Sequence, residues 1–144
     1  MDFFKHSSLL LFFLSSILLS GCNVEEKKIE ITEQQVAVSF FNAIYNEKNI
    51  DKALLLSTDD FKKELEKYHT ANNIAHRVFN MRFDSVSLHT SAKQTKIIDE
   101  YYVQVTMMVQ FTGLRDGNTY KDYKKIRLIK ENNEWRVDKL LELG

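Results

Sequence analysis

Proline is absent from the 144 residues, glycine occurs four times and cysteine once. Proline's absence means that no helix is kinked and no strand demoted by a missing backbone N–H, and the scarcity of glycine leaves few points of forced reversal. Long regular elements are therefore expected. A single cysteine excludes a disulfide within the chain, so the fold must hold by packing alone. Charge of one sign is also missing: 20 basic side chains balance 20 acidic ones. That balance argues against a nucleic-acid partner and against a polybasic membrane patch. There is no internal repeat and no low-complexity tract beyond Glu25-Glu26-Lys27-Lys28.

What is present begins at the N-terminus. Lys5 and His6 precede the apolar run Leu9–Leu19, which ends in Leu19-Ser20-Gly21-Cys22. A basic start, a short apolar core and small residues at its exit describe a cleaved export signal. Eleven residues make a helix of about 17 Å, too short for a hydrocarbon core of roughly 30 Å. Leu19-Ser20-Gly21-Cys22 resembles the lipobox of bacterial lipoproteins. That resemblance implies a signal peptide over 1–21, a diacylglyceryl group on the Cys22 thiol and membrane attachment through that lipid. Asn23, where inner-membrane lipoproteins of enteric-type bacteria often carry Asp, implies the outer membrane and its periplasmic face, with the inner membrane and the cell surface as alternatives. Two or more acyl chains on one residue give firm anchoring where one gives only marginal binding.

After cleavage, residues 22–31 read as a lipidated N-terminus and short tether, and 32–144 as one domain, enough for a modest core. Thr32 and Gln35 form a capping-box pattern. Val36, Ala37, Phe40, Phe41, Ile44 and Tyr45 then recur at helical spacing, predicting a helix over Glu33–Tyr45. Asn49 caps a short second helix, and Ser57 and Thr58, followed by Asp59 and Asp60, offer a cap for a third that carries Phe61, Leu65, Tyr68 and Ile74. From about Arg77 the period becomes two. Phe79, Met81 and Phe83 alternate, and the apolar phase then slips to Val86 and Leu88, which predicts a bulge or bend near Asp84-Ser85. Thr90–Lys96 reads as a polar turn. Tyr101 to Phe111 forms the longest alternating run, with Tyr101 in its inward phase. Residues 113–118 and 131–134 read as hairpin turns, and Trp135 to Leu140 as the last strand. The expected class is α+β: three N-terminal helices packed on a strongly bent antiparallel sheet of about four strands.

This order, with strands over 98–112 and 119–130 and the closing Glu134-Trp135-Arg136-Val137-Asp138-Lys139-Leu140, resembles the NTF2-like, or cystatin-like, cone fold, and within it the small NTF2-like lipoproteins of bacteria. Members of that fold include isomerases, dehydratases and cyclases alongside transport factors, secretion-system components and domains that only bind. The resemblance therefore implies a fold and leaves function open. In its enzymes an Asp, His or Tyr commonly points into the mouth of the cone.

Candidate pocket residues are Asp84, Tyr101, His76 and Asp99, since acid–base chemistry needs a carboxylate, imidazole or phenol held near a second polar group. No spacing forces any pair together. His69, His76 and His89 are too widely spaced for a local metal-ligand pair, no serine sits in a glycine-rich elbow, and no loop cradles phosphate. No catalytic set, cofactor or metal is therefore expected. Tyr120, Lys121, Tyr123 and Lys124 combine aromatic and basic side chains in a candidate partner-binding edge; the competing reading is an edge whose lysines discourage aggregation. The favoured function is a lipid-anchored envelope domain without catalytic activity that binds a protein partner or a small apolar ligand, with a homodimer through the sheet as a further expectation. The alternatives are a small hydrolase or isomerase and an accessory lipoprotein of a secretion or conjugation system.

Overall fold

The computed structural model describes residues 30–99 and 101–144. The expectations placed on residues 1–29, lipidation of Cys22 among them, lie outside the described residues. Helix α1 spans Glu33–Tyr45, α2 Ile50–Leu55, α3 Asp59–Glu66 and α4 Ala71–Arg77; strands β1 Ser85–Ile97, β2 Val103–Arg115, β3 Asn118–Glu131 and β4 Glu134–Leu141 follow. The class is α+β.

Each helix starts where a short polar side chain accepts a backbone N–H that has no intrahelical partner. At α1 the capping box is complete: Gln35 N–H donates to Thr32 Oγ1 at 3.3 Å and Thr32 N–H to Gln35 Oε1 at 2.9 Å. Asn49 accepts from Lys52 N–H at 3.0 Å, Thr58 from Phe61 N–H at 3.4 Å and Thr70 from Asn73 N–H at 3.2 Å. The last cap corrects the expectation of three helices. His69 takes a left-handed conformation with φ 61, and Thr70 then opens a fourth helix on which Ile74, rather than extending α3, is fully buried.

The strands form a four-stranded antiparallel meander in the order β1-β2-β3-β4. Two-residue turns join β2 to β3 and β3 to β4, with positive φ at Asp116, Gly117, Asn132 and Asn133. These are the residues that tolerate the left-handed region demanded by tight hairpins. Two sequence expectations fail. Phe79, Met81 and Phe83 are buried as their apolarity requires, but the segment is not a strand. β1 begins only at Ser85, beside the predicted phase slip, and its register irregularity falls between Ser91 and Lys93. Thr90–Lys96 is not a turn either: Gln94, Thr95 and Lys96 pair with Thr106, Val105 and Gln104. They lack apolar alternation because this end of β1 is exposed on both faces, while Val105 opposite Thr95 remains buried. The reversal comes at residues 98–102.

The helices cover one face of the sheet. Val105, Met107, Val109 and Phe111 of β2, with Ile126, Leu128 and Val137, meet Ala37, Phe40, Phe41 and Ile44 of α1. All six phenylalanines after position 21 are at most 9% exposed. Phe41 lies 4.8 Å from Phe111, 5.1 Å from Phe40 and 5.2 Å from Phe79, each edge to face, a geometry that adds roughly 0.5–1.5 kcal/mol per pair to area burial. The linker between α2 and α3 is pinned to β4, where Thr58 N–H donates to the Val137 carbonyl at 2.9 Å and Val137 N–H to the Leu56 carbonyl at 2.8 Å.

Candidate functional site

Two of the four candidate pocket residues share a cleft, and two lie at the far end of the sheet. α4 presents Asn72 and His76, four residues apart and so on one helical face. Across from them stand Arg82, Phe83 and Asp84 before β1, Arg115 and Asp116 at the β2–β3 turn, and Lys48 after α1. Together they enclose about 650 Å³. Arg115 lies 4.2 Å from the centre of the Tyr120 ring, a cation–π contact that fixes one wall. Phe83 forms part of the lining and rests directly on Gly113. His76 and Asp84 are both exposed, and no hydrogen bond joins their side chains among the described residues. Three cations against two carboxylates give the cleft a positive balance.

Tyr101 corrects its expected place: it lies before β2, not in the strand's inward phase, and is 83% exposed. Asp99 serves the chain reversal, its Oδ1 accepting from the N–H groups of both Tyr101 and Tyr102 at 2.8 Å. Spacing alone could not have brought Lys48, Arg82 and Arg115 to the cleft, because they come from two loops and the end of β2, far apart in sequence. One local signal for its lining was legible: a glycine inside a strand pattern, Gly113, marks a close approach.

The marked electrostatic perturbations lie elsewhere. Burial, with the Asp122 charge adding to it, pushes the Tyr45 hydroxyl well above its ordinary pKa, and that hydroxyl has no hydrogen-bond partner among the described residues. Burial opposes ionisation of Glu33, but the Lys93 ammonium bonded to it, its own backbone N–H and the charge of Lys130 together hold its pKa below the usual value. Glu47 is lowered chiefly by its hydrogen bond to Lys52, at 2.7 Å, and also by Asn42. Among the described residues no cluster of three His, Cys, Asp or Glu side chains is placed to hold a metal.

The candidate edge has a definite geometry. Among the described residues β4 pairs with Lys125–Glu131, so Asn118–Lys124 is bonded to β2 on one side and has no strand on the other, where Tyr123 N–H donates to the Asp122 side chain at 2.7 Å. Arg115 and Asn118 flank a two-residue turn. Alternation therefore directs the backbone groups of Thr119, Lys121 and Tyr123 to the open side. Tyr120 and Lys124, opposite Gly113 and Val109, project to the helix-covered face; Lys121 and Tyr123, opposite Thr112 and Gln110, project to the other. The tyrosines are 39% and 40% exposed. A smaller cleft of about 380 Å³ lies between Ile31, Val36, Leu56 and Trp135.

No family model matches the chain, and no curated protein matches it. Among solved structures, the solution structure of TraH from the Gram-positive conjugative plasmid pIP501 is similar at 13% identity with a TM-score of 0.48, over 78% of this chain and 93% of that one. No described helix is long and apolar enough to cross a membrane.

Proposed function

We propose that the chain is a lipid-anchored cell-envelope domain of the NTF2-like kind that binds a protein partner along the open half of β3, without catalytic chemistry. The observation that carries this reading is the outer edge of Asn118–Lys124, which has no strand neighbour among the described residues. An extended peptide added there gains main-chain hydrogen bonds to Thr119 and Lys121, while tyrosine and lysine side chains on both faces supply anchors and steering. The interior between α1 and the sheet supports the same reading: interlocking aromatic rings fill the space a substrate would need. A lipid on Cys22 would hold the domain in a thin layer and raise its effective concentration toward other envelope proteins.

Photo-crosslinking in intact bacterial cells tests the proposal. A crosslinker at Tyr123 is expected to give a discrete protein adduct that one at His89 does not. Lys121→Pro should abolish the adduct and Lys121→Ala should keep it. Proline at this position removes an N–H that faces the open side and leaves the pairing with β2 intact. An adduct that survives Lys121→Pro in a protein with an unchanged melting temperature refutes strand addition.

The hydrolase or isomerase alternative has one observation in its favour, the shared cleft of His76 and Asp84. Their exposure argues for a surface that binds an anionic group rather than a desolvated acid–base pair. A secretion or conjugation assembly remains one setting in which such a partner would be found.

A further inference from the structure

The cleft beside α4 gathers charged side chains that do not pair with one another. Elsewhere on the sheet, Arg127 binds the Asp138 carboxylate and Arg136 the Glu134 carboxylate. In the cleft, Lys48, Arg82 and Arg115 make no salt bridge and no side-chain hydrogen bond among the described residues, although Asp84 and Asp116 stand in the same concavity. Both of those carboxylates are likewise without a partner among the described residues.

The frame that carries these groups is fixed. Met81 N–H donates to the Ala75 carbonyl at 3.0 Å and Asp84 N–H to the Leu114 carbonyl at 2.8 Å, so the segment bearing Arg82 is tied to α4 on one side and to β2 on the other. Between Arg82 and Asp84, the Phe83 ring is 9% exposed and lies 6.1 Å from the Tyr45 ring in the core. Lys48 and Asp116 hold left-handed φ values of 54 and 51 in the connections that follow α1 and β2. Arg115 is fixed over the Tyr120 ring at 4.2 Å, a contact that gives none of its N–H groups a protein acceptor. A preformed cleft loses little freedom on being filled.

We propose that this cleft binds a phosphate monoester of a sugar or polyol, with Arg82, Arg115 and Lys48 directed to the phosphate and Asp84 and Asp116 accepting from hydroxyl groups. A bare anion would gain from the three cations and be repelled by the two carboxylates. Hydroxyl groups turn those carboxylates into acceptors, and charge-assisted hydrogen bonds are the strong ones. The planar guanidinium fork matches phosphate oxygens two at a time. The volume, about 650 Å³, exceeds what phosphate alone would fill and lies within the roughly 300–1,000 Å³ of small-molecule sites.

Calorimetric titration of the full chain, produced in a bacterial host and held in neutral detergent, tests the proposal with glucose 6-phosphate, glucose, inorganic phosphate and glycerophosphoglycerol as probes. Glucose 6-phosphate should bind at least about tenfold more tightly than each of the others. Raising sodium chloride from about 0.01 M to about 1 M, which cuts the screening length from roughly 30 Å to 3 Å, should weaken it. Arg82→Gln and Arg115→Gln should each weaken it about fivefold, with Lys63→Gln on α3 leaving it unchanged. Asp84→Asn with Asp116→Asn should act in opposite directions on two probes, tightening inorganic phosphate and erasing the preference for the sugar ester; asparagine keeps the turn at 116 because it tolerates the left-handed region. Equal affinity for inorganic phosphate and glucose 6-phosphate in the wild type overturns the proposal. So does equal competition by glycerophosphoglycerol, which would assign the cleft to a phosphodiester headgroup, and so does undiminished binding by Arg82→Gln and Arg115→Gln proteins whose circular dichroism matches the wild type.

Discussion

Asn46 and Val86 are joined by a pair of hydrogen bonds that imitates a strand neighbour: the Asn46 amide donates to the Val86 carbonyl at 2.9 Å and accepts from Val86 N–H at 3.0 Å. The residue that ends α1 thereby occupies the open edge of β1 and fastens helix to sheet across 40 positions of sequence. Asn46→Ala would leave two backbone groups of a buried residue unpaired, a loss of about 1–3 kcal/mol. Urea denaturation should show a lower midpoint at unchanged slope. A midpoint within error of the wild type would mean that water replaces the amide at no cost.

The Phe83 ring occupies the space that a side chain on Gly113 would need. A Cβ on residue 113 would stand 2.3 Å from Phe83 Cδ1, so the ring must move. Gly113→Ala should destabilise by about 1–3 kcal/mol. Phe83→Leu in the same chain should cancel part of that loss, giving a measurable coupling in a double-mutant cycle. Strict additivity of the two changes would show that the ring is not the obstacle.

Tyr45 contributes a ring to the core and a hydroxyl that has no hydrogen-bond partner among the described residues. Tyr45→Phe keeps the ring and removes a polar group that is buried at a cost, so a gain of about 1 kcal/mol is expected. The same burial sets a pH dependence. The folded pKa is raised, so the unfolded chain loses its proton first, and Tyr45's share of stability is lost as pH rises above the ordinary value of 10.0. Thermal melts above that pH should fall less steeply for Tyr45→Phe than for the wild type.

Glu33 behaves in the opposite sense. Its folded pKa is depressed, so its ionised form stabilises the fold above the unfolded value of 4.5, and that contribution disappears as pH falls through the folded value. The partner Lys93 is 43% exposed, and solvent screening limits the effect to about 1 kcal/mol. Glu33→Gln should lower the melting temperature at pH 7 and flatten its decline under acid. Equal acid sensitivity in both proteins would place the titrating group elsewhere.

Much of the helical layer was legible because its signals are local. The caps Thr32 and Asn49 and the stripe from Val36 to Tyr45 depend on residues within one or two turns and agree with the structure, and of Ser57 and Thr58, both offered as the third cap, Thr58 is the one that serves. Thr70 carried the same chemistry as the other caps. It was missed because Ile74 also fits a continuation of α3, and a left-handed His69 has no sequence signature. The strand boundaries around residues 77–102 were misread for a related reason: alternation reports burial, and burial followed the helix cover rather than the pairing. Phe79, Met81 and Phe83 alternate with exposed residues and are buried without being paired, whereas Gln94 to Lys96 are paired without being buried.

By itself, the order of the amino acids determined the buried stripe from Val36 to Tyr45, the helix starts at Thr32 and Asn49, and the presence of chain reversals within residues 113–118 and 131–134, since each depends on bonds between near neighbours. Only the tertiary structure decided that β4 stops short of the β2–β3 turn, that a hairpin reaches beyond its helices, and that Lys48, Arg82 and Arg115 meet around His76. Such features are differences in length between elements distant in sequence, and those differences exist only once the elements are packed.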